Sequence, residues 1–64
     1  MKHFITESVP CYCDSRYVIF TVDGGYAKIV AEGDLLSELE AWAIAADVDV
    51  HVGSPESMGA RWVR

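Results

Sequence analysis

Basic residues are scarce in this 64-residue chain: five Lys and Arg stand against ten Asp and Glu, for a formal net charge of −5. A protein that coats nucleic acid nonspecifically neutralises phosphates with a basic surface, and one that lies on anionic lipid needs the same, so composition disfavours both. Acidity favours instead a partner with a basic surface. The acids are scattered along the chain and not gathered into one phosphate-like array. No apolar run approaches the ~20 residues that span a bilayer. The first residues also lack a basic segment followed by an apolar signal region, so a cytoplasmic location without membrane contact is expected.

Cysteine is nearly lacking too, with only Cys11 and Cys13. Together with His3 and His51 they total four possible zinc ligands, but a C-x-C pair without a partner knuckle falls short of the usual spacing. His51 is already explained as a solvent-side strand residue. A Cys11–Cys13 disulfide would close too short a ring to act as a staple. Two reduced thiols are therefore expected, with no metal and no cofactor.

Chemistry is equally short of support. Cys13, Asp14 and His51 can be written as a nucleophile, acid and base, yet no spacing selects them, and a thin sheet with one helix leaves little concave volume. The Asp23-Gly24-Gly25 turn lacks the repeated glycines and following helix that cradle an anion. A non-enzymatic protein is expected, with no catalytic residue. No linker, repeat or low-complexity tract divides the chain, so residues 1–64 read as one small acidic α+β domain.

What the chain does contain is apolar residues, 52% of the total. A domain this small buries only about 60% of the surface its unfolded form exposes, so stability is marginal and association that covers more apolar surface is useful. The first strand is expected over His3–Glu7. The second, Arg16–Val22, is the strongest, since Tyr17, Val18, Ile19, Phe20, Thr21 and Val22 are all β-branched or aromatic, and it is expected to be central. Val18, Phe20 and Val22 on one face and Tyr17, Ile19 and Thr21 on the other leave both faces largely apolar, though a single helix can cover only one. Gly24 and Gly25 supply a tight hairpin into a third strand, Tyr26–Ala31.

Helix signals follow. Gly33 ends the strand and Asp34 is a natural N-cap for a helix running to Ala46. Leu35, Leu39, Trp42, Ala43 and Ala46, widened by Leu36, form its core stripe. Ser37, Ala41, Ile44 and Ala45 fall on the opposite side, where a lone domain should meet water. A helix with two small or apolar sides usually has two neighbours.

After the helix, Asp47–Val52 alternates strictly, predicting a strand with Val48, Val50 and Val52 inward and Asp47, Asp49 and His51 outward. Gly53–Gly59 is turn-rich. Met58 is expected to fold back over the core, and Ala60–Arg64 to make a last strand with Trp62 on one face. The expected architecture is β-β-β-α-β-β: a three-stranded antiparallel meander, one helix, then a two-stranded hairpin.

These features favour a protein-binding module. Its candidate contact residues are Ala41, Ile44 and Ala45 on the outer helix side, Glu38, Glu40, Asp47 and Asp49 as acidic contacts, and Arg61 and Arg64 as interface anchors. In its specific form it is an inhibitor that blocks a basic surface of a host nucleic-acid-handling complex. Short acidic domains of this kind are common among phage and mobile-element accessory proteins, anti-CRISPRs included. One alternative is a homodimeric structural or regulatory module that pairs its outer helix face and sheet edge with a second copy. Another is a small nucleic-acid-binding protein using Arg61, Trp62 and Arg64, in which arginine holds phosphate and Trp stacks on a base. Lys2, Lys28 and Arg16 alone extend that basic patch too little to favour it.

Overall fold

A computed structural model of the chain describes residues 2–7 and 15–63. Its elements are β1 (His3–Glu7), β2 (Tyr17–Asp23), β3 (Tyr26–Gly33), the helix α1 (Leu36–Ala46), β4 (Val50–Val52), a short 3-10 turn (Glu56–Met58) and β5 (Arg61–Val63). The strands form one five-stranded sheet in the order β4-β1-β2-β3-β5. The α+β class is thus as expected, and β2 is central. Gly24 and Gly25, at φ 60° and 82°, form the two-residue turn between β2 and β3, a conformation in which a Cβ is strained.

The strand order departs from the expected meander and hairpin. β1, β2 and β3 pair antiparallel as neighbours, but β4 pairs parallel to β1 and β5 pairs parallel to β3. The last two strands therefore sit at opposite edges. The cause lies in the two apolar faces of β2. A hairpin of β4 with β5 would leave one face bare, whereas sending the segment 53–60 across the sheet covers it. Four inter-strand spacings are roughly 19 Å, within the about 26 Å that such a segment can reach.

Register assigns the faces. Phe4 pairs with Phe20 and Val22 with Ala27, while Ala27 pairs with Trp62. These side chains share the face that segment 53–60 crosses. Phe20 meets Phe4 at 5.6 Å and Trp62 edge-on at 5.2 Å. Ala27 and Ala60 close the same cluster, and Pro55 is fully buried within the crossing segment. Met58, expected to fold back over the core, remains exposed, and only its tip reaches back to Gly53, where a Cβ would meet Met58 Cε at 2.7 Å.

On the other face, α1 packs on β2 and β3. Leu39 and Ala43 are buried there, and His3 lies against Trp42 at 6.1 Å. The stripe is narrower than expected, because Leu35, Leu36 and Ala46 remain exposed.

Both ends of α1 also differ from expectation. Leu35 occupies the N-cap in an extended conformation without a side-chain cap, since the Asp34 carboxylate instead accepts the Arg16 backbone N–H at 3.3 Å. At the other end Asp47 is the left-handed residue that stops the helix, at φ 58°. Its N–H donates to Ile44 O at 3.2 Å and the Val48 N–H donates to Ala43 O at 3.1 Å, the paired bonds of a Schellman motif. Asp47, Val48 and Asp49 are thereby withdrawn from the expected strand, and β4 begins only at Val50.

Candidate functional site

Because α1 sits mainly over β2 and β3, the same face of β1 and β4 is only partly covered: Trp42 reaches His3, Ile5 and Val50 are half-buried and Val52 is exposed. Ile5, Ile19, Val50 and Val52 form the floor of a groove of ≈450 Å³, with Leu36 and Ile44 of α1 as its wall. A second hollow of ≈430 Å³ shares Ile5, Leu36 and Val52 and runs on to Glu7 and Tyr17. Ile44 is 81% exposed, Val52 92% and Leu36 48%. Val52 was expected inward. It does point to the helix side, but the helix does not reach it.

Among the described residues the charges along this groove are all of one sign. Glu40 borders it on the helix and Glu7 at the end of β1, and among the described residues no basic side chain lines either hollow. Asp47 and Asp49 lie next to it, in a separate cavity of ≈370 Å³ shared with Lys2, His3 and His51. Ala41, Ala45 and Glu38 are exposed elsewhere on α1.

The expected contact residues therefore do not form one patch. Ile44 and Glu40 meet at the groove, while Asp47 and Asp49 adjoin it through the helix stop. Arg61 belongs to β5, at the far edge of the sheet, where its N–H donates to Gly25 O at 3.0 Å. Arg64 lies outside the described residues, as do Cys11, Cys13 and Asp14. His3 and His51 sit on opposite faces: His3 packs on Trp42, and His51 lies 6.0 Å from the Phe4 ring. Among the described residues no group of three or more His, Cys, Asp or Glu is placed to hold a metal, and no helix is long and apolar enough to cross a membrane.

Reading the sequence alone missed Ile5, Leu36, Val50 and Val52 as one surface. Their apolar character was plain, but their exposure depends on which strands the helix covers. Comparison with protein-family models, with curated proteins and with solved structures finds no match to this chain.

Proposed function

We propose that the chain is a non-enzymatic protein-binding module whose target presents apolar side chains flanked by basic ones. The observation that supports this reading is the groove beside α1, where exposed Ile44, Leu36 and Val52 surround an apolar floor and the bordering charges are acidic. Apolar area supplies affinity, and the acidic border selects and steers a partner of opposite sign. In a cell, basic protein surfaces commonly serve nucleic acids, so occupying one would inhibit the complex that bears it. This is the accessory-inhibitor form of the proposal, which rests on charge.

Crosslinking from the groove tests it. A photoreactive phenylalanine analogue at position 44, in the full chain expressed in its native cells, is expected to capture a protein through a Lys- or Arg-rich segment. Adding Ile44→Glu to the otherwise unmodified chain should abolish co-purification of that protein. Crosslinks only between copies of this chain would replace the proposal with a homodimer, and crosslinks confined to acidic segments would sink it.

A further inference from the structure

The wall and floor of the groove end at an edge strand. Among the described residues β4 is the edge of the sheet, paired on one side only, with β1. The Gly53 N–H donates to Ile5 O at 3.2 Å. In a parallel ladder that bond turns the backbone groups of His51 toward β1 as well, and those of Val50 and Val52 outward. Val48, next in the same phase, has its N–H committed to Ala43 O. The outward-facing edge is thus confined to Val50–Val52 and lies directly beside the groove.

We propose that this edge takes an extended, basic segment of the partner protein as an added strand. This rests on the groove being the binding surface, and it specifies how the surface binds. Backbone hydrogen bonds to Val50 and Val52 hold the incoming strand, and its alternate side chains enter the space beside Ile44 and Leu36. Its basic side chains are matched to the border made by Glu40 and Glu7.

Two comparisons favour this occupant. A second copy pairing β4 to β4 would bring the acidic borders of two chains of charge −5 together. The other edge, β5, carries Arg61 and pairs with the strand that holds Lys28, so it offers a basic segment less charge complementarity than the border of Glu40 and Glu7.

The test uses the full chain and three capped synthetic peptides whose groove-facing positions alternate charged with apolar side chains: repeats of Lys-Thr-Val-Thr (Lys-Val), repeats of Glu-Thr-Val-Thr (Glu-Val), and Lys-Val with alternate backbone amides methylated. By two-dimensional NMR titration, Lys-Val should bind at least about tenfold tighter than Glu-Val, a difference that a few charge contacts can supply. Binding should slow hydrogen exchange at the Val50 and Val52 amides, and amide methylation should abolish it. Val52→Pro removes an outward donor that the fold does not use and should weaken Lys-Val binding about tenfold or more. If Lys-Val perturbs Leu36, Glu40 and Ile44 while methylation changes nothing and the Val50 and Val52 amides stay unprotected, strand addition fails but the groove stands. If Lys-Val does not bind, or Glu-Val binds as well, the groove reading fails with it. Protection of Val50 and Val52 without peptide, together with dimeric sedimentation, assigns the edge to a second copy and overturns the proposal.

Discussion

On one face of the sheet Phe20 is enclosed by Phe4, Ala27, Ala60 and Trp62 beneath the crossing segment 53–60, while on the other Leu39 and Ala43 are buried and Ile44 and Val52 are bare. β2 supplies apolar side chains to both sides. The difference lies in the cover. The crossing segment begins at one edge and ends at the other, so it spans its whole face, whereas α1 rests mainly on β2 and β3 and touches β1 through Trp42 and His3. A helix about 10 Å across covers roughly two strand spacings of the five-stranded sheet and leaves the rest open. The closed face is where folding free energy is concentrated, and the half-open one has surface to spend on a partner.

The sharpest way to break that contrast is Phe20→Ala, which should cost about 3–5 kcal/mol and leave little or no folded protein, given the marginal stability of so small a domain. Urea unfolding followed by Trp fluorescence measures it. A loss below about 1 kcal/mol, the size of an ordinary substitution, would mean that this face is not the core. Leu39→Ala should cost about 2–5 kcal/mol by the same assay, nearer the lower bound because water can enter the cavity from the groove. A cost equal to that of Phe20→Ala would erase the distinction between the faces.

The turns that serve the two faces differ as well. The 3-10 turn on the closed side stops at Gly59 with φ 69°, and α1 stops at Asp47 with φ 58°. A glycine suits that conformation, whereas an aspartate there also sets a negative charge against the helix C-terminus. Asp47→Gly is therefore expected to stabilise the protein by about 0.5–1 kcal/mol in thermal melts, and a destabilised variant would show that the Asp47 side chain contributes a contact of its own. The smallest effect on stability is expected for Ile44→Glu, within about 0.5 kcal/mol of the parent, because the side chain is almost fully solvated. A loss of more than about 2 kcal/mol would place Ile44 in the core and remove it from the binding surface.

Much of this arrangement was legible beforehand, for local reasons. The β1 boundaries and the central place of β2 follow from β-branched and aromatic residues, and the β2–β3 turn from its paired glycines. The outward position of Ile44 follows from its phase against Leu39. The partners of β4 and β5 were not legible, since three-residue strands carry too little pattern to specify a neighbour, and Ser-Pro-Glu-Ser-Met-Gly reads equally well as a turn or as a crossing. The helix stop was hidden because Asp47-Val48-Asp49-Val50 continues a strand-like alternation, while the usual glycine is missing. Of the candidate site, the apolar helix side and the acidic charge were readable. The groove was not, because it is made by the offset of α1 from the edge.

The placement of β4 and β5 at opposite edges also orders the assembly of the molecule. The β1–β2–β3 pairs join neighbours in sequence and can form early, but β4 pairs with β1 only after the chain has closed a loop through two strands and a helix, and β5 pairs with β3 only across the helix, β4 and the crossing segment, so both must first close long loops. Both edges should therefore be absent from the folding transition state. Val50→Ala and Val63→Ala are expected to raise the unfolding rate and leave the refolding rate nearly unchanged, which stopped-flow mixing measures directly. A partner strand seated on β4 would then act as a kinetic clamp, slowing loss of the native state without speeding its formation.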